Sequence, residues 1–81
     1  MIVTVRLFAR ARDLAGTDAV MVEVPTGANI QELRRRLAEI RPELTSMVQR
    51  SALAVNKEFA DNALVLQTGD EVALLPPVSG G

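Results

Sequence analysis

The chain contains no cysteine and no histidine. Those absences remove disulfide staples, thiolate and imidazole metal sites, and every nucleophile that relies on an imidazole partner. Aromatic residues are nearly missing as well: Phe8 and Phe59 are the two in 81 residues. Neither charge sign prevails, with nine basic against ten acidic groups. Nucleic-acid binding draws on a basic surplus and on rings that stack with bases, and this chain has neither. No stretch approaches the ~20 apolar residues of a membrane span. The N-terminal segment lacks the continuous apolar run and cleavage site of a secretory signal. The expectation is a cytoplasmic protein that binds neither nucleic acid nor membrane and holds no metal and no cofactor. Its side chains are ill equipped for demanding chemistry.

What is present is enough apolar material, 48% of the residues, for one domain with a real core. Residues 2–9 (IVTVRLFA) alternate with period two, placing Val3, Val5 and Leu7 on one face of a strand. Residues 19–24 (AVMVEV) repeat the pattern through Val20, Val22 and Val24. The intervening ARARDLAGTD is polar and glycine-marked, and reads as the loop of a hairpin. Pro25-Thr26-Gly27 ends the second strand. Asn29 with Glu32 three residues on forms a capping-box pattern. Ile30, Leu33, Leu37 and Ile40 then define one helical stripe, which Pro42 stops. Leu44, Met47 and Val48 suggest a further short helical turn.

Two more strands follow, at 52–56 through Leu53 and Val55 and at 71–75 through Val72 and Leu74. Between them, Asp61-Asn62 and Thr68-Gly69-Asp70 are turn signals. Arg34, Arg35 and Arg36 fall off the apolar stripe and read as a solvated helix face. Asp70-Glu71 reads as an exposed turn, with no third carboxylate to complete a metal site. Pro76-Pro77 withdraws two consecutive amide donors and must end the sheet ladder. The order of elements predicts an α+β domain of the β-grasp (ubiquitin-like) kind over residues 1–76. It comprises a mixed four- to five-stranded sheet packed on one main helix. Residues 77–81 follow as a flexible C-terminal diglycine tail.

If Val3, Val5 and Leu7 face the helix, alternation turns Thr4, Arg6 and Phe8 to the other face. Ala73 and Leu75 turn outward by the same logic. Phe8, Leu75 and, beyond the third strand, Phe59 thus form a candidate partner-binding patch. The tail carries a second candidate. An α-carboxylate with a reference pKa of ~3.5 is ionised at neutral pH and is a poor electrophile until activated, for instance as an acyl-adenylate. Two glycines present it on a narrow lead, and Pro76, Pro77, Val78, Ser79 and Gly80 extend Gly81 by on the order of 20 Å. The alternative reading of a terminal Gly-Gly is a frayed end without function.

Leu7-Phe8-Ala9, Arg12-Asp13, Gly16, Pro25-Thr26-Gly27 and Ala54-Val55-Asn56 lead to the more specific Gly69-Asp70-Glu71-Val72-Ala73 and Pro76-Pro77-Val78-Ser79-Gly80-Gly81. Through these segments the chain resembles the family of small, sulfur-carrier subunits of molybdopterin synthase, within the ubiquitin-like β-grasp sulfur carriers. Asp13, where glutamate is common, and Leu74-Leu75, where aromatics often occur, depart from the family pattern. The resemblance implies that an E1-like adenylating enzyme uses ATP on the Gly81 carboxylate, and that a sulfur donor then converts the acyl-adenylate to a thiocarboxylate. It also implies a large synthase subunit as partner, in a heterotetramer, and cyclic pyranopterin monophosphate as sulfur acceptor. Catalytic side chains would belong to that large subunit. Sulfur carriers for thiamine synthesis or tRNA thiolation, a ubiquitin-like protein modifier and a plain adaptor domain are the competing functions.

Overall fold

The period-two segments assemble into one sheet. In the computed structural model, which describes residues 1–77, the strands are β1 (Ile2–Leu7), β2 (Ala19–Glu23), β3 (Ala52–Val55), β4 (Glu58–Ala60) and β5 (Val72–Leu75). Their spatial order is β2-β1-β5-β3-β4. β1 runs antiparallel to β2 and parallel to β5, while β3 is antiparallel to both β5 and β4. The last strand therefore lies in the middle of the sheet, between the first and the third.

The helices are α1 (Ala9–Ala15), α2 (Ile30–Ile40) and α3 (Thr45–Arg50), with a short 3-10 helix at Pro42–Leu44 before α3. The Asn29 side chain caps α2 as its sequence predicts, accepting from the Glu32 amide at 2.9 Å. Ile30, Leu33 and Leu37 of α2 are fully buried against the inward valines and leucines of the sheet. Leu44, Met47 and Val48 close one end of this core, as their spacing suggests.

Three readings need correction, and one core residue was not foreseen. The segment after Phe8 is a helix, α1, and not a hairpin loop. It has little apolar stripe of its own and is held by Ala11, which is completely buried, and by its ends. The Ala11 and Arg12 amides donate to Phe8 O at 3.1 and 3.4 Å, and Gly16, at φ 71°, closes the last turn by donating to Arg12 O at 2.9 Å. Ile40 is 45% exposed rather than core. It is the final residue of α2, and Arg41 turns out of helical conformation, so no further turn carries Ile40 over the sheet. Leu44 fills the core at that end.

Arg34 is the third correction. Its guanidinium is not solvated with its neighbours but reaches inward across two elements. Nη1 donates to Val48 O at 2.6 Å and to Ser51 O at 2.8 Å, and Nε donates to Asn62 Oδ1 at 2.8 Å. It thus satisfies carbonyls at the end of α3. Burial removes water from the cation and lowers its pKa from the ordinary arginine value. Arg35 and Arg36 do lie at the surface, paired with Glu32 and Glu39. Leu66 is the core residue that no periodic pattern marked. It is 2% exposed, and its amide donates to Ala28 O at 2.8 Å, tying the β4–β5 connection to the segment before α2.

The expectations placed on Val78, Ser79, Gly80 and Gly81 lie outside the described residues. Among the described residues, no helix is long and apolar enough to cross a membrane.

Candidate functional site

Register decides what the outward face of the sheet carries. Arg6 stands opposite Ala73, Ala73 opposite Ala54, and Ala54 opposite Phe59, giving one row across four strands. Two methyl groups in the middle of that row leave a dip between larger neighbours. The result is a trough of about 320 Å³. Ala54 and Ala73 form its floor, Phe8 and Phe59 its walls, and Leu75 the end nearest the chain's C-terminus. Arg6, Lys57 and Glu71 stand on the rim. Phe8 is 44% exposed and Phe59 is 79% exposed. The structure thus brings together all three residues predicted to form the partner-binding patch.

Each wall is fixed by local backbone chemistry. Phe8 sits in extended conformation at φ −132° and ψ 158°, just past the end of β1, so it keeps the outward side that alternation predicts. Ala9 follows at φ 52°, a left-handed value unusual for alanine, and turns the chain directly into α1. Phe59 is carried by the β3–β4 hairpin, whose two-residue turn places Asn56 at φ 52° and Lys57 at φ 73°. Two positive φ values in succession are what such a turn requires. Asn56 tolerates its position, and its side chain is held on both sides. Nδ2 donates to Asp70 Oδ1 at 3.0 Å, and Oδ1 accepts from the Glu71 amide at 3.0 Å. Asp70 Oδ2 accepts from the Gln67 amide at 2.8 Å. Asp70 is therefore a half-buried clamp that ties the hairpin to the β5 approach, while Glu71 is exposed as expected. Sequence reasoning missed this Asn56–Asp70 link. An Asx residue at each of two turns was the available signal.

The face offers binding rather than bond-making. Among the described residues, the trough lining includes no thiol, imidazole or hydroxyl, and Thr4 is the hydroxyl elsewhere on the outward side of β1. Among the described residues, no group of three or more acidic side chains is placed to hold a metal ion. A larger hollow, about 440 Å³, lies between Met1, Pro25 and the α2 arginines. Its Arg35 and Arg36 are already matched by Glu32 and Glu39, which leaves the sheet trough as the stronger candidate for docking. β5 leads out of that trough through half-buried Pro76 and exposed Pro77. The predicted reactive terminus, Gly81, lies outside the described residues.

Comparison with known proteins finds relatives of the same fold. A model of the ThiS family matches residues 5–81. A molybdopterin synthase sulfur carrier subunit of Dictyostelium discoideum is 36% identical over 78 residues, covering 93% of this chain and 91% of that protein. The crystal structure of SAMP1 from Haloferax volcanii superposes with a TM-score of 0.89 at 31% identity, over 100% of both chains. A chain from the complex of subunits 1 and 2 of the molybdopterin-converting factor of Helicobacter pylori superposes at 0.71 with 29% identity, again over 100% of both chains.

Proposed function

Because the chain belongs to the ThiS family, we propose that it is a sulfur carrier in molybdenum cofactor biosynthesis and that its working group is the Gly81 carboxylate. The observation that carries this reading is a family match extending to the final glycine of a chain that lacks any thiol or imidazole. Chemistry must then sit on the terminus or be lent by partners. An E1-like adenylating enzyme would transfer AMP from ATP to Gly81, releasing pyrophosphate. A sulfur donor would displace AMP to leave a thiocarboxylate. The large subunit of molybdopterin synthase would receive the charged carrier and direct its sulfur to cyclic pyranopterin monophosphate. A dithiolene contains two sulfur atoms, so two carriers discharge for each product, which suits a heterotetramer with two small subunits. The chain binds no cofactor of its own in this scheme.

The outer sheet face supplies the docking surface. The named Helicobacter assembly of subunits 1 and 2 supports a large-subunit partner for this chain. Intact-protein mass spectrometry after incubation with ATP, a sulfur donor and an activating enzyme tests the proposal. The expected product has one oxygen replaced by sulfur, and deletion of Gly81 abolishes it while leaving the melting temperature unchanged. Unaltered mass, or isopeptide-linked conjugates in its place, overturns the carrier assignment.

A further inference from the structure

Lys57 is the only lysine in the chain, and it occupies a position where the backbone favours glycine. Its φ of 73° lies in the left-handed region, which is sterically strained for a residue bearing a Cβ. Asn56 offsets such a cost through two side-chain bonds. Lys57 has no comparable compensation. Among the described residues, its ammonium has no carboxylate within ion-pair distance and no hydrogen-bond acceptor. Arg6, across the trough, is likewise without a partner among the described residues. Among the described residues, Glu71 is the single acid on that rim against Arg6 and Lys57, a positive balance.

The floor is equally unusual. Alanine is a poor strand former, yet Ala54 and Ala73 face each other on adjacent inner strands where a larger side chain would pack well. Ala54 is only 7% exposed although, among the described residues, it lines the trough on the outward side of the sheet. Phe59 is its cross-strand partner, and Phe8 lines the same trough beside Leu75.

We infer that the trough is a specificity pocket for one element of the docking partner: an apolar side chain seated on Ala54 and Ala73, next to a carboxylate that pairs with Lys57 and Arg6. This inference rests on the proposal that the outer face docks a large synthase subunit, and it names the chemistry the partner must present. The small floor admits the side chain, and the unmatched cations select its acidic neighbour. Its charge gives the lysine at this unfavourable φ a role in recognition. Continuity with Leu75 and Pro76 places the pocket beside the strand end from which the tail departs, so one contact both recognises the carrier and orients its terminus.

Titration calorimetry of the full-length carrier with the purified large subunit, at low and high salt, tests the inference beside melting curves of each variant. Lys57→Gly removes the cation and relieves the turn. It is expected to melt at the same or higher temperature while binding about 2–5-fold more weakly at low salt, a gap that closes at high salt. Ala73→Leu fills the floor and is expected to weaken binding about tenfold or more at both salts. Phe8→Ala serves as the control for the docking face itself. If Phe8→Ala weakens binding but neither other variant does, the pocket inference is wrong and the docking face stands. If none of the three changes affinity, the docking face is wrong as well. A small anionic ligand such as inorganic phosphate that binds the free carrier and is lost in Lys57→Gly would also overturn the assignment to a protein side chain.

Discussion

Replacing Phe8 by alanine separates the two roles that a half-exposed ring plays. An enclosed aromatic side chain buries about 150–250 Å². Phe8 is 44% exposed, which leaves about 90 Å² for a partner to cover. At ~25 cal/mol per Å² that area is worth about 2 kcal/mol, or roughly 30-fold in Kd. The figure is an upper value, since ordering and imperfect contact subtract from it. The packed half of the ring contributes to the fold instead. A fully buried phenylalanine costs about 3–5 kcal/mol on truncation, so Phe8→Ala should cost the free protein about half that. Phe59, 79% exposed, should show the opposite balance, with a binding loss of up to about 4 kcal/mol by the same area arithmetic and little change in stability. Calorimetry with the large subunit, next to urea melts of each variant alone, reads both quantities. The reasoning fails if Phe8→Ala loses the full core penalty in stability while its affinity for the partner is unchanged.

Arg34→Met removes three hydrogen bonds from a cation to neutral oxygens. We expect a loss of about 2–3 kcal/mol after allowing for partial exposure, read as a melting temperature lower by roughly 10–20 °C. Arg34→Lys should recover only part of this, because one ammonium cannot reach the Val48 and Ser51 carbonyls and Asn62 together, and equal stability of the two variants would count against the staple. Leu66→Ala should cost about 2–5 kcal/mol as a core truncation, whereas Ile40→Ser should stay within about 1 kcal/mol; a reversed ranking in denaturant melts would contradict the burial of these residues. Ala9→Gly should raise stability by up to about 1 kcal/mol by relieving its left-handed φ, and a destabilised variant would show that the backbone there is not strained.

The strands β1, β2 and β5 and the start of α2 were legible because alternation and capping are local signals. The pairing of first and last strands followed from the fold type, and with it the joining of Phe8 and Leu75 on one face. α1 was missed because ARARDLA buries a single alanine, and no apolar stripe distinguishes it from a polar loop. Its one readable sign was Gly16 at the C-terminal cap. Leu66 stood alone in a turn-rich segment where only tertiary contact decides burial. Arg34 shared its sequence context with Arg35 and Arg36, and what separates it is the position of α3 and of Asn62, which spacing along α2 does not contain. β4, three residues long at the sheet edge, is formed by its turn as much as by its own residues. The trough was half legible. Its aromatic walls could be read from alternation, whereas its alanine floor required knowing which strands lie side by side.

The central placement of β5 has a mechanical consequence. Its ladders to β1 and β3 run along both sides of the strand, one parallel and one antiparallel. A pull on Pro76 along the strand axis loads the bonds of both ladders in shear and together, since those to β3 lie across the direction of force and those to β1 are slanted to it. An edge strand peeled from one end would instead give way one bond at a time. A partner that draws in residues beyond Pro76, or an enzyme that withdraws them, can therefore exert traction on the chain while the domain behind it holds its shape.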